Sequence, residues 1–403
     1  MEHLSQPELK TCNLVSHQWS AIAKPFLLFS LCLYRNDPTP SSEVQTQLWP
    51  LNRLERLKGA HAHLFSHVRE VRLEESFFNL QQPTRDPIQG ALERMRCASF
   101  HFSHISTLEI LTPAGAFQRA RIGSRSPPGP SGIMLCTMRH AFPNVRTLKL
   151  TRANWSVVAL WNLLESLPQL KTLVLDNCDF SSPIEHNPSW YHGWFLTLKP
   201  ERHLIALESL VCERMSPPSL LFDLLRFLVD RTFSATSLKS IAYHLTAETI
   251  SMLDKVAPLL LQLKETLQRL EIEVDRWPQC NADDLTKRLS NLDIPKLTQL
   301  RDLRFYGAVD ILTPSISDLL LSQRLLPPPI RRLTLTVHQF DVKEFTKYDA
   351  QLAQASQLEE VEVVYDCPEM IGWMALDVVE GEVLKAFPKL RNARRLRVTR
   401  KVF

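Results

Sequence analysis

The sequence predicts an α/β solenoid, with parallel strands inside and helices outside, preceded by a small all-helical module. Three observations predict it. A six-residue phrase (apolar, two mostly polar residues, apolar, any residue, apolar) recurs eleven times beyond residue 65. Several intervals between copies carry apolar residues at helical spacing. The first 35 residues hold a compact helical pattern unlike anything after them. With 403 residues, 44% hydrophobic and 22% charged, the chain suits a long, folded repeat array.

In the N-terminal module, Cys12, Val15, Trp19, Ile22 and Phe26 step by 3, 4, 3 and 4, which makes one apolar helical face. Pro25 divides or kinks that helix. Phe26, Leu28, Leu31 and Leu33 lead toward the first repeat. The predicted organisation is a helical module over 1–35, a linker or helical cap over 36–64, and an irregular repeat solenoid over 65–403. A solenoid exposes a raw apolar end, so a covering element is required there.

The phrase is read as VREVRL at 68–73, ISTLEI at 105–110, VRTLKL at 145–150 and LKTLVL at 170–175. It continues as LESLVC at 207–212, LKSIAY at 238–243, LQRLEI at 267–272 and LRDLRF at 300–305. IRRLTL at 330–335, LEEVEV at 358–363 and ARRLRV at 393–398 complete the set. A period of roughly 25–40 residues is that of a repeat architecture. One unit cannot bury its apolar side, but stacked units share a continuous core. Between strands, helical faces are predicted from Val157, Trp161 and Leu164; from Ile250, Leu253, Val256, Leu260 and Leu263; and from Leu285, Leu289 and Leu292.

Residues 112–134 and 181–200 interrupt the rhythm. The first insertion is rich in Gly, Pro and Ser, carries Arg119, Arg121 and Arg125, and is predicted to be a mobile loop. Ser126-Pro127 within it is a candidate modification site, with mobile filler as the plainer reading. The second holds Trp190, Tyr191, Trp194 and Phe195, a cluster that suits a partner contact or folding back on the repeats.

The third and fifth residues of each phrase, and the residue after it, are predicted to point away from the core. Candidate substrate-facing residues are Arg72, Lys149, Asp176, Glu213, Arg269, Glu271, Arg304, Tyr306, Arg332 and Glu362. Glu70, Glu74, His244, Glu273, Asp302, Glu360, Arg395 and Arg397 share those positions. Strands about 4.8 Å apart would make this an arc of roughly 50 Å, a scale suited to a protein or peptide. The signs are mixed.

Leu170–Cys178 (LKTLVLDNC) resembles the leucine-rich repeat LxxLxLxxN/C in full, including Cys178 at the ninth position. The other copies keep its six-residue core. The stretch Leu9-x-x-Cys12-x-Leu14-Val15-Ser16-x-x-Trp19-x-x-Ile22-Ala23-x-Pro25-x-Leu27-x-x-Ser30-Leu31 resembles the second half of an F-box, as fungal F-box proteins carry it before leucine-rich repeats. The family's Leu-Pro opening and first helix have no counterpart before it, so the module is expected to be a partial F-box. The resemblance implies the substrate-recognition subunit of an SCF-type cullin-RING ubiquitin ligase. It implies docking on the SCF adaptor subunit through the F-box portion (Leu9, Cys12, Leu14, Val15, Trp19 and Ile22) and binding of a protein substrate by the repeats. The alternative is a free-standing leucine-rich-repeat scaffold with no ubiquitin role.

Glycine numbers only 10, with Gly115, Gly123, Gly129 and Gly132 in one loop, so no phosphate-cradling loop follows a strand. The 8 cysteines form no Cys-x-x-Cys pair and read as buried free thiols. His61, His63 and His67 lack the acid or cysteine that would complete a zinc set. No nucleophile motif is present, and the pairs Asp283-Asp284 and Glu359-Glu360 read as a helix start and a strand edge. The chain is thus expected not to be an enzyme and to need no metal or cofactor. A net charge of +4 is too weak to argue for nucleic acid, and the basic run RNARRLRVTRK at 391–401 reads as a strand that caps the sheet. Without a signal peptide or an 18-residue apolar run, the expected location is the cytoplasm or nucleus, with no membrane partner and no secretion.

Overall fold

The computed structural model describes residues 30–33, 67–74, 102–111, 142–156, 160, 163–181, 206–213, 238–245, 253–274, 287–289, 291–307, 330–337, 342–365 and 376–400. The chain forms two compact units, Met1–Leu207 and Glu208–Phe403. The F-box-like residues Leu9 to Ile22, the insertion at 112–134, all of the insertion at 181–200 except its first residue, and the pair His61 and His63 lie outside the described residues.

In the first unit the described strands are β1 (Ser30–Leu33), β2 (Glu70–Glu74), β3 (Thr107–Leu111), β4 (Thr147–Thr151), β5 (Asn154–Ser156), β6 (Thr172–Asp176) and β7 (Asp179–Ser181). β1, β2, β3, β4 and β6 form a parallel ladder in that order. Val71, Leu108, Leu148 and Leu173 hold equivalent places in their phrases and pair position for position. Parallel neighbours need a crossover between them, which the long intervals supply. β1 corrects the expectation of an all-helical segment through residue 35: Ser30–Leu33 is a strand that pairs in parallel with β2.

In the second unit they are β8 (Ser209–Glu213), β9 (Ser240–Leu245), β10 (Arg269–Val274), β11 (Asp302–Gly307), β12 (Arg332–Val337), β13 (Glu360–Tyr365) and β14 (Leu396–Arg400). These are parallel and adjacent in sequence order. The described helices here are α1 (Leu253–Gln262), α2 (Val342–Gln354), α3 (Leu376–Ala386) and α4 (Pro388–Asn392). Leu253, Val256, Leu260 and Leu263 are buried on one side of α1 and just past its end, as their spacing predicts. Asp254 at the start of α1 pairs with Arg288 and accepts from Asn291 Nδ2 at 3.3 Å, which ties one interval to the next. No described helix is long and apolar enough to cross a membrane.

Most described strands begin at the third residue of their phrase, not the first. The first residue, from Val68 and Ile105 through Ile330 and Leu358, is buried in the turn before the strand. That turn has its own rule. Ile105 N donates to Phe102 O at 3.2 Å, Val145 N to Phe142 O at 3.3 Å, and Leu170 N to Leu167 O at 3.1 Å. Leu300 N to Leu297 O and Leu358 N to Ala355 O repeat it at 3.1 Å. An apolar residue three places upstream is therefore buried as well, and Phe102 and Phe142 stack at 5.6 Å between centroids. Full burial of each such Phe or Leu side chain contributes about 1.5–3 kcal/mol.

The backbone closes each strand start the same way. Arg69 O accepts from Ser106 N at 2.9 Å and Thr107 N at 3.0 Å, and Arg301 O from Arg331 N at 2.8 Å and Arg332 N at 3.0 Å. Ser106, Arg146, Glu208, Lys239, Gln268 and Arg331 repeat the double acceptance.

Two successive copies also share a turn. Arg152 (φ 59) and Asn177 (φ 52) both adopt the left-handed conformation at the eighth position. The chain then runs into β5 and β7, which pair in parallel with Asn154 opposite Asp179. This small second sheet is an addition to what periodicity predicts. Cys178 Sγ donates to Leu150 O of the previous repeat at 3.2 Å, and burial pushes its thiol pKa up to about 12.

The last phrase departs from the pattern. Ala393 is exposed as the C-cap of α4, Arg394 (φ 58) turns the chain, and Leu396 and Val398 are only half-buried. β14 has β13 as its described neighbour, so its two faces are less covered. α4 is anchored from α2: the buried Asp349 carboxylate accepts from Lys389 N at 2.8 Å and Leu390 N at 2.9 Å. Those are orphan amides of a helix start, and an anion there also meets the positive end of the helix dipole.

Candidate functional site

Alternation sends the third, fifth and seventh phrase residues to the sheet face opposite the buried Leu, Ile and Val positions. In-register stacking then lines them up in rows. In the first unit, Arg72, Glu109 and Lys149 are successive members of one row. Glu109 is only 6% exposed. It meets Arg72 Nε at 2.9 Å and Lys149 Nζ at 3.7 Å, and accepts from Thr151 Oγ1 at 3.2 Å. Arg72 also pairs with Glu70 at 2.9 Å. Two predicted face residues thus converge on a carboxylate that the sequence reading left out of its candidates. Asp176, predicted to face a substrate, is 4% exposed instead. Its carbonyl accepts from Arg152 N at 2.8 Å and Cys178 Sγ at 3.5 Å, so this end of β6 is folded into the turn toward β7.

In the second unit one row runs Ser240, Arg269, Asp302, Arg332 and Glu360, and the next runs Ala242, Glu271, Arg304, Thr334, Glu362 and Arg397. Charges alternate along each row. Arg269 Nε donates to Asp302 Oδ2 at 2.8 Å. Arg304 grips the same carboxylate through Nε at 3.1 Å and Nη2 at 3.0 Å. Two guanidinium groups lie over Asp302, which is why an outward residue is 7% exposed. The hydrogen bonds to Asp302 push the Arg304 guanidinium pKa further up, so its charge is permanent. Arg304 Nη1 also lies 3.5 Å from Tyr306 Oη. Burial raises the Tyr306 phenol, and the nearby Glu271 charge adds to it.

Farther along, Arg332 pairs with Glu360 at 3.4 Å, and Arg397 reaches Glu360 at 3.6 Å and Glu362 at 3.7 Å. Glu362 accepts from Thr334 Oγ1 at 3.4 Å and Thr399 Oγ1 at 2.9 Å. His244 Nδ1 lies 3.6 Å from Glu273. Glu213 is half-buried at the end of β8. Glu271 makes no hydrogen bond or ion pair among the described residues. Burial holds its carboxyl above the ordinary carboxylate value; Glu273 and Asp302 add to this, while Arg304 and Arg269 oppose it.

Where β9 to β13 begin, a cleft of about 420 Å3 opens between second- and third-position residues. Lys239, Gln268, Arg301 and Arg331 line it from successive repeats. Sequence reading missed these second-position residues because it counted only those pointing off the strand itself. The signal was present as Lys-Ser, Gln-Arg, Arg-Asp and Arg-Arg at equivalent places in four consecutive phrases. Among the described residues, no group of three or more His, Cys, Asp and Glu side chains could hold a metal ion.

No model of a known protein family matches the chain, and no curated protein matches it either.

Proposed function

We propose that the chain is a non-enzymatic recognition protein that binds a protein substrate on the outward face of its repeat sheet, as the substrate receptor of an SCF-type ubiquitin ligase. The observation that carries the recognition part is the in-register row arrangement in the second unit. Rows built from the same phrase position present charged and aromatic groups at strand spacing over several repeats. Such a surface suits an extended macromolecular partner. The leucine-rich-repeat reading rests on the shared phrase and on Cys178 at the ninth position, which binds the preceding repeat.

The ligase part rests on the resemblance of Leu9 to Ile22 to the second half of an F-box. Trp19 and its neighbours would meet the adaptor, and the repeats would hold the substrate. A free-standing leucine-rich-repeat scaffold is the second reading. β1 favours it, since a strand from the N-terminal segment joins the repeat ladder as a terminal cap would.

The test is a pull-down of the purified full-length chain with the SCF adaptor subunit, beside a Trp19→Ala variant whose circular dichroism matches the wild type. Wild-type binding that the variant loses supports the receptor. No binding by the wild type overturns the ligase reading and leaves the scaffold.

A further inference from the structure

We propose that the cleft at the starts of β9 to β13 holds an extended, acidic segment of a protein partner. This deepens the reading above by naming the partner's chemistry, and rests on it only in taking the partner to be a protein. The lining is basic: Lys239, Arg269, Arg301, Arg331 and Arg332 stand against the carboxylates of Asp302 and Glu359. Arg301 is exposed and makes no ion pair among the described residues. Arg269 is held by the buried Asp302 and Arg332 by the half-buried Glu360, while Lys239 and Arg331 have partners at the surface that a ligand can replace. Lys239 meets Glu208 at 3.2 Å and Arg331 meets Glu359 at 3.2 Å. Exposed pairs of this kind are individually weak, so exchanging one carboxylate for another is cheap.

The spacing fits an extended chain. Lys239 and Arg331 are three strands apart, roughly 14 Å at about 4.8 Å per strand. Carboxylates at i and i+4 of an extended peptide lie at roughly the same separation, with i+2 midway between them and within reach of the Arg301 side chain. Each arginine presents a planar fork of donors that matches a carboxylate. A nucleic acid fits less well. The lining contains no aromatic side chain on which a base could stack, and Asp302 and Glu359 oppose a continuous phosphate chain.

The experiment is fluorescence anisotropy of the full-length chain with a fluorescein-labelled ten-residue peptide of alternating Glu and Ser. Its Gln-Ser counterpart and a single-stranded DNA of equal charge serve as comparisons. The protein variants are Arg301→Glu in the cleft and Lys264→Glu on an exposed site outside it. The expected result is binding of the Glu peptide that weakens about tenfold in Arg301→Glu and is unchanged in Lys264→Glu, with the Gln peptide and the DNA binding far more weakly. Equal weakening by both variants, no binding of the Glu peptide, or DNA binding as tight as peptide binding would overturn the proposal. Adaptor binding reads the N-terminal segment and not the cleft. Loss of peptide binding alone therefore sinks the cleft, and loss of adaptor binding alone sinks the ligase role.

Discussion

The two units use one backbone plan and finish their outward faces differently. In the first, Arg72 and Lys149 close over a single buried carboxylate, Glu109, with Thr151 as a further donor. In the second, Arg269 and Arg304 close over Asp302 in the same way, but charge also spreads along rows as far as Arg397, much of it on exposed arms, and Glu271 and Arg301 are left without ion pairs among the described residues. The apolar positions of the phrase are the same in both. The difference shows that those positions encode the ladder, while the polar positions decide whether a face is closed on itself or open to a ligand.

If the ladder is common to both units, core truncations must cost alike. Leu148→Ala in the first and Leu303→Ala in the second, both 0% exposed, are each expected to lose about 2–5 kcal/mol in urea unfolding. A cost confined to one unit would break the comparison. The next effect separates the faces. Glu109→Ala takes the shared carboxylate from Lys149 and Arg72, of which Arg72 keeps Glu70, and is expected to cost about 1–3 kcal/mol. Arg332→Ala removes one arm of an exposed pair and should cost less than about 1 kcal/mol. Equal losses would mean that the two faces are built alike. Asp349→Ala, which frees two amides at the start of α4, belongs with the larger group at about 1–3 kcal/mol, and Asp349→Asn should recover part of it.

Smaller still is the effect of Glu271. Its carboxyl binds a proton more tightly when folded, so its contribution to stability falls as pH rises from the ordinary carboxylate value through the raised one. Glu271→Gln should remove that fall and leave the variant at least as stable as the wild type at pH 7, within about 1 kcal/mol. A destabilised Glu271→Gln at pH 7 would show that the ionised carboxylate has a partner that holds it. The smallest effect is on reactivity. With its thiol pushed up to about 12, Cys178 should resist iodoacetamide at pH 8 until denaturant is added, as peptide mapping would show.

The strands were legible because parallel pairing reuses one phrase position for position, and each slip would turn apolar residues outward. Leu108, Leu148 and Leu173 fall where alternation puts them. What periodicity could not reach depends on backbone turns and on contacts between copies. The buried residue three places upstream, as in Phe102-x-x-Ile105 and Phe142-x-x-Val145, was in plain view but lies outside a strand-based pattern. β5 and β7 depend on left-handed Arg152 and Asn177, neither of them a glycine that would mark the turn. On the face, sequence located the residues and not their pairing. Arg72 and Lys149 read as two substrate-facing residues, yet they share Glu109, and Asp302 is covered by arginines from its own strand and the one before.

The most direct test of recognition by the second unit's sheet is amide hydrogen exchange on the full-length chain, with and without the saturating Glu-Ser peptide. The account predicts added protection at 239–240, 268–269, 301–302 and 331–332, the strand starts that border the cleft, and no change around 69–72 or 146–149. Protection confined to the first unit, or spread evenly over both, would contradict it.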